Sequence, residues 1–381
     1  MIKLGTVFSG IGAIEHALDR MELPYTIEFA CDNGERTLKT SIEDIYSAVE
    51  GMNDAEKNAY ITALYEKERG VNQVEKTYRA NYKIHNNLFY QDVRLLDGKR
   101  FEGKIDLFVG GSPCQSFSHA GKRKGLDEAR GTLFYDYARL VSEIKPKVFI
   151  YENVPGMLNH DSGRTWSIIS EIFEGLGYHW TYWVLNAKDY GLPQNRRRIF
   201  VIGFHQDYKE YFGSLLKPAP FPLKLDMTDL LESDVGNKYY LPEKGFLRVI
   251  DPKHKKHVAL NGKIARCQVA NQQYNWYGDM RFETEIPQRL LEDERVYKGD
   301  YNGVFGVARC LTPRECLRLM GFTDDFNIVV PDQHMYRQAG NSIAVNVLIE
   351  IINQILMTGI FENDEKQPSQ QEPTFENSYN V

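Results

Sequence analysis

The residues best suited to chemistry begin with a cysteine in an unusual frame. In Val109-Gly110-Gly111-Ser112-Pro113-Cys114-Gln115-Ser116 an apolar run stops, two glycines turn the chain, and a proline fixes the approach to Cys114. A lone cysteine is ordinarily a small buried hydrophobe. Glycine, proline and serine neighbours instead present the thiol at a strand end, where a deprotonated sulfur can act as a nucleophile. Glu152 and Asn153 follow the apolar run Phe149-Ile150-Tyr151, which sets a carboxyl and an amide at the border of a core. A glutamate directly after a buried run is an unlikely surface residue. Gln194-Asn195-Arg196-Arg197-Arg198 supplies guanidinium groups for anion or carbonyl contacts.

Three more segments suit a bound ligand, each beside a plainer reading. Val7-Phe8-Ser9-Gly10-Ile11-Gly12-Ala13 has glycines that let the backbone approach a cofactor, or that only make a strand-to-helix turn. Asp32 ends an apolar run and either holds ribose hydroxyls or caps a turn. In Gln338-Ala339-Gly340-Asn341-Ser342-Ile343-Ala344, Asn341 or Ser342 either caps the following helix or holds a ligand against the sheet.

The elements that must position these residues alternate through the first 200 positions. Gly5–Phe8, Ile27–Cys31, Ile105–Val109, Val148–Tyr151, His179–Leu185 and Ile199–Phe204 read as strands. Ile14–Met21, Leu133–Ile144 and Thr165–Leu176 read as helices. Such alternation predicts an α/β fold with a mostly parallel sheet covered by helices on both faces, its ligands at the strand carboxyl ends. Residues 35–80 are charged and helix-prone, a helical insertion after the second strand. Residues 206–305 open on Pro218, Pro220 and Pro222 and read as a smaller, irregular domain. Gly340–Met357 reads as one long apolar helix, and the polar tail Glu362–Val381 as disordered. The main domain is therefore expected over 1–205 and 306–361.

Composition narrows the class. No run of 18 apolar residues appears, and the start of the chain lacks the regions of a signal peptide, so a cytoplasmic protein without a membrane span is expected. Five cysteines, with no zinc-like spacing, argue against a disulfide framework or a structural metal site. The net charge of −6 is a mild argument against a nucleic-acid partner. Against it stand Lys253, Lys255, Lys256, Lys263 and Arg266, with two histidines and no acid between Pro252 and Arg266. Lys122-Arg123-Lys124 and Arg196-Arg197-Arg198 add to this. Any one cluster also fits a solvated surface.

The ordered set Phe-Ser-Gly-Ile-Gly, Ser-Pro-Cys-Gln, Glu-Asn-Val, Gln-Asn-Arg-Arg-Arg and Gly-Asn-Ser resembles the DNA cytosine-C5 methyltransferase family. The resemblance covers Gly5–Phe204 and Ala308–Leu348. Lys124-Gly125-Leu126, Arg130-Gly131-Thr132-Leu133 and Leu311-Thr312-Pro313-Arg314-Glu315-Cys316 extend it. It implies a Rossmann-like methyltransferase sheet, S-adenosylmethionine as cofactor and a smaller target-recognition domain on double-stranded DNA. By the same resemblance Cys114 is the nucleophile, Glu152 holds or protonates cytosine N3, and Arg198 binds O2. Arg196 supports the site and the phosphates, while Pro113, Gln115 and Asn153 lie against the base. Phe8, Gly10, Ile11, Gly12, Asp32, Asp92, Leu133, Asn341 and Ser342 would hold the cofactor, Asp32 at the ribose and Asp92 at the adenine amine.

Departures from the family pattern are Asp32, where glutamate is usual, Ala13 for a further glycine, and the insertion itself. The threonine-leucine stretch closing the recognition domain has no clear copy; Gly262–Cys267 would be its altered form. The resemblance implies a monomer in a restriction-modification system beside a cognate endonuclease, although a solitary regulatory or phage enzyme carries the same motifs. Rival readings are a cytosine-C5 methyltransferase acting on tRNA, a non-catalytic DNA-binding relative, and a cysteine hydrolase. The last needs an activating histidine, and His119 has no evident orienting acid.

Overall fold

The computed structural model describes residues 1–113 and 133–362. Cys114, Gln115 and the tail from residue 363 lie outside the described residues, and with them the reading of that tail as disordered.

A seven-stranded sheet forms the centre, in the order β3-β2-β1-β4-β5-β7-β6. Its strands are β1 (Ile2–Val7), β2 (Tyr25–Cys31), β3 (Phe89–Tyr90), β4 (Leu107–Gly110), β5 (Val148–Asn153), β6 (Tyr178–Asn186) and β7 (Arg197–His205). β7 runs antiparallel to both of its neighbours, and the remaining ladders are parallel. Alternating side chains explain why both faces are covered. Val148 and Ile150 of β5 point into one core with α1 (Ala13–Arg20) and the last helix. Phe149 and Tyr151 point into the other, against α5 (Leu133–Ile144) and α6 (Arg164–Gly175). The chain leaves β1 for β2 on one side and returns to β4 on the other. That reversal of direction opens a crevice at the carboxyl ends of β1 and β4.

Between β2 and β3 stand α2 (Ile42–Ala48), α3 (Asp54–Arg69) and α4 (Gln73–Asn81). Local sequence starts each of them. Ser41 caps α2, Asn53 and Glu56 form a capping box on α3, and Asn72 accepts from Val74 and Glu75 at the head of α4. Leu38, Ile45, Val49, Ile61 and Tyr65 give these helices a small core of their own.

The region expected to be irregular is built on a second sheet, β10-β11-β9-β8. It comprises β8 (Val258–Leu260), β9 (Gly278–Glu283), β10 (Lys298–Tyr301) and β11 (Val304–Cys310), with α7 (Glu243–Ile250) packed on Val258, Met280 and Phe282. Asn302 and Gly303 both take positive φ, the two-residue turn that matches strand twist, and join β10 to β11. β11 thus runs across the boundary expected at 305/306. Beyond it come α8 (Pro313–Leu319), α9 (Asp332–Asn341) and α10 (Val345–Met357).

The long helix expected over Gly340–Met357 is two helices. The chain leaves helical geometry at Ser342, and α10 begins after Ala344 with no side-chain cap, so neither Asn341 nor Ser342 caps it. By length and composition alone, Asp332–Met357 would be long and apolar enough to cross a membrane. Here the stretch is broken in two, and Val345, Leu348, Ile351, Ile352 and Ile355 are buried in the protein core.

Candidate active site

The site lies at the carboxyl ends of β1, β2, β4 and β5 and the start of β7. Glu152, the penultimate residue of β5, faces Arg198 of β7 across a 3.0 Å ion pair from Nε to Oε1. Burial raises the Glu152 carboxyl above the ordinary carboxylate range, opposed by Arg198 and then Arg196. Such a group holds a proton more readily than a surface acid does.

Asn153 is buried, and its amide donates to Ser112 O at 3.1 Å and to Tyr151 Oη at 2.8 Å. Tyr151 and Ser112 share a further bond of 2.7 Å. These contacts fix the strand-to-loop turn that leads through the exposed Pro113 into Cys114. A side chain on Gly111 would come within 2.8 Å of Glu152 O, so glycine is required for β4 and β5 to approach there. Ser112 and Tyr151 were not singled out from the sequence; a serine and a tyrosine 39 residues apart carry no local signal of their pairing.

Arg196 differs from the sequence expectation. It is 3% exposed and donates to Gln268 O (2.7 Å), Gly340 O (3.2 Å) and Ser342 O (2.5 Å). Desolvation pushes it down to about 10. Its bonds are spent on protein carbonyls, which suits support of the site and leaves no reach to phosphates. Arg196 Nη1 and Arg198 Nη2 each lie 3.6 Å from Cys267 Sγ. The segment from Cys267 onward, in the second domain, is thereby laid against both arginines. A side chain on Gly340 would sit 2.3 Å from Val269, so that loop also packs on the end of α9.

On the other side of the crevice, Phe8, Gly10 and Gly12 take positive φ between β1 and α1. Ile11 is buried in the core, and Tyr82 donates to Gly12 O at 2.8 Å. Asp32, at the end of β2, accepts from Gly10 N (2.9 Å) and Gly34 N (2.8 Å). Each of its oxygens keeps further acceptor capacity beyond these bonds. Asp92 is buried beyond β3 and fully engaged: Tyr65 Oη donates to it at 2.6 Å, and Arg94 Nε and Nη2 at 2.9 and 2.6 Å. Leu133 opens α5 over the second core. Ser342 is buried, whereas Asn341 is exposed and bonded to Glu35.

The helical insertion reaches this side through residues that the sequence did not mark. Tyr65 from α3 holds Asp92, and Asn72 donates to Asp32 O (2.8 Å) and Gln91 Oε1 (3.0 Å). Arg36 lies 4.9 Å over the Tyr65 ring and bonds Gln91. A glycine turn at β1 and an acceptor carboxylate at β2 fit a nucleoside-bearing cofactor such as S-adenosylmethionine, with Asp92, its own bonds filled, behind them.

A family model described as C-5 cytosine-specific DNA methylase matches residues 40–357. Among curated relatives, the Type II methyltransferase M.SsoII of Shigella sonnei is 37% identical over 288 residues, covering 74% of this chain and 71% of its own. The Type II methyltransferase M.HpaII of Haemophilus parainfluenzae is 36% identical over 327 residues, covering 81% and 86%. The crystal structure of a Spodoptera frugiperda DNMT2 mutant shares the fold, with a TM-score of 0.64 at 18% identity, over 93% of this chain and all (100%) of that one. Matching the family model over most of its length, and two relatives at more than a third identity, the chain belongs to the C-5 cytosine-specific DNA methylase family.

Proposed function

We propose that the protein methylates C5 of a flipped-out cytosine within a short, specific duplex DNA sequence. The observation that carries this reading is the Glu152–Arg198 pair, set beside the Asn153-braced turn that runs into Cys114. S-adenosylmethionine, when bound, supplies an electrophilic methyl group. Phe8, Gly10, Ile11, Gly12, Asp32, Leu133, Asn341 and Ser342 would hold it, Asp32 at the ribose, with Asp92 supporting that side through Tyr65 and Arg94.

Cytosine C5 is a weak nucleophile. The Cys114 thiolate adds to C6 and forms an S–C6 bond, while Glu152 delivers its proton to N3. The electron pair displaced from the C5–C6 double bond makes C5 nucleophilic. Arg198 bonds O2 and keeps the ring in line, and Pro113, Gln115 and Asn153 border it. Once C5 carries the methyl group, a base removes the C5 proton, the S–C6 bond breaks, and the ring returns the N3 proton to Glu152. Arg196 holds the recognition loop and the Gly340–Ser342 turn against this centre.

A target atom inside a duplex requires base extrusion. The division is a catalytic body over 1–205 and the chain after β11, and a target-recognition domain from 206 to the end of β11 that grips DNA. A monomer working beside an endonuclease of the same specificity fits the Type II names of the relatives.

The test is transfer of labelled methyl to duplex DNA and to tRNA, with base-resolution mapping. 5-Methylcytosine at one short DNA sequence, lost in Cys114→Ala while cofactor binding persists, is the expected result. Label confined to tRNA overturns the substrate, and turnover in Cys114→Ala overturns the adduct.

A further inference from the structure

Buried acceptors without donors cluster in one place. Gln268, Gln272, Gln273 and Asp279 are 3%, 5%, 9% and 3% exposed, and each leaves one oxygen unbonded: Oε1 on the glutamines, Oδ1 on Asp279. All four line a cavity of about 230 Å³ in the second domain. Neighbouring bonds fix which atom is left over on three of them. Gln272 Nε2 donates to Tyr336 O at 2.9 Å, and Gln273 Nε2 to Asp279 O at 3.2 Å, so their unmet atoms are carbonyl oxygens. Asp279 Oδ2 accepts from Arg266 N at 3.0 Å, which leaves Oδ1. Buried polar groups are almost always bonded, and a cluster of exceptions sharing one sign needs an explanation.

The same loop carries backbone strain. Gln273, Asn275 and Trp276 have φ of 63°, 51° and 59°, the left-handed region that non-glycine residues rarely adopt and that concentrates at ligand-binding segments. The loop also touches the catalytic centre through Cys267 and Gln268, which meet Arg196 and Arg198. Its rim is basic at Lys256 and Arg266, and Val269 and Tyr274 are 52% and 64% exposed.

We propose that Gln268, Gln272, Gln273 and Asp279 form an acceptor set that reads the exocyclic amino group of an adenine or cytosine beside the target base. This rests on the DNA-methylating reading above. In the major groove only adenine N6 and cytosine N4 offer such a donor, whereas guanine and thymine present acceptors at the corresponding place. Arrival of the amino edge supplies one donor that the free protein lacks and lets the strained loop re-form around a base. Lys256, exposed on the rim, meets the backbone phosphates and sets the register, while Arg266 holds the carbonyls of Lys255 and Lys256.

The test compares wild type with Asp279→Asn and Gln273→Met on duplexes randomised around the methylated cytosine, each profile read by bisulfite sequencing. Asn at 279 still accepts from Arg266 N and puts an amide NH₂ where the unmet oxygen was. The expected result is a change of preference at a single position, from adenine or cytosine toward guanine or thymine, by about tenfold or more. Gln273→Met relaxes discrimination by a similar factor and gives the same readout should Asp279→Asn not fold. A uniform fall across all sequences with an unchanged profile overturns the proposal, as does an affected position that prefers guanine or thymine in wild type. A wild type that methylates no duplex defeats the functional reading itself, whereas a wild type with a defined site and variants that keep its profile defeats this inference alone.

Discussion

Tyr65 in the helical insertion and Gln272 in the second domain are both buried polar side chains near the crevice. Tyr65 closes its bond on Asp92 at 2.6 Å, while Gln272 leaves its carbonyl oxygen unmet. The contrast extends to their surroundings. Among the described residues of the insertion, Asn58 Oδ1 is left unbonded; in the stretch from Arg248 to Arg281, seven side-chain atoms are. A satisfied network rigidifies, and an unsatisfied one waits for a partner or carries a cost. The insertion is therefore a fixed brace behind Asp32 and Asp92, whereas the second domain keeps its buried acceptors unmet.

The largest expected effect concerns the anchor that keeps the second domain in place. Arg309 of β11 is 1% exposed and pairs with Glu315 of α8 (2.9 Å, fully buried) and with Glu283 of β9 (2.5 Å). Arg309→Met strands Glu315 without its charge partner and should cost about 3–5 kcal/mol in urea denaturation. A loss below ~1 kcal/mol would mean that the domain is held by its apolar contacts alone.

Next comes Glu15, buried in α1 just after the β1–α1 turn, which receives a 2.6 Å bond from Tyr78 at the end of the insertion. Burial raises its carboxyl from the ordinary 4.5 to about 7. Between these values the folded state binds more protons than the unfolded one, so stability is greatest at the acid end and falls as pH rises toward 7. The fall amounts to about 3 kcal/mol from this group. Glu15→Gln should remove that slope when wild type and variant are denatured side by side at the two ends of the window. Parallel profiles would show that the brace tolerates the charge.

Tyr65→Phe removes one bond to a carboxylate, about 1.5–3 kcal/mol. The expected outcome is a KM for S-adenosylmethionine raised on the order of 10-fold, with kcat and the KM for DNA unchanged; a matched rise in both KM values would turn the brace into a general structural element. The smallest effect belongs to Lys238–Asp332, an exposed pair (65% and 35%) between the second domain and α9. Lys238→Ala should cost under about 1 kcal/mol and vanish in high salt.

The central sheet was legible because its strands are long apolar runs ended by glycine, proline or a polar residue, and those ends carry Glu152, Arg198 and Asp32. β3 was not: Phe89–Tyr90 is too short to show a period. The second sheet was missed because β9 and β11, as long as strands of the central sheet, are interrupted by Asp279, Arg281, Glu283 and Arg309 instead of running apolar, although Asn302-Gly303 is a strong hairpin signal. The break at Ser342 is hidden in an apolar sequence because its cause is distant: Arg196 takes the carbonyls of Gly340 and Ser342. Tyr65 and Asp92 lie 27 residues apart, and their bond has no local trace.

One feature of the frame governs how the molecule comes into being. Arg20 at the end of α1 bonds Asn346 at the head of α10, 326 residues away, and both helices share one core. Contacts of that separation form late, because the intervening chain must be ordered before they can close. The face of α1 toward that core stays uncovered on the ribosome until α10 has emerged. A growing polypeptide of this sequence therefore completes the shared core only when residues 345–357 have been made.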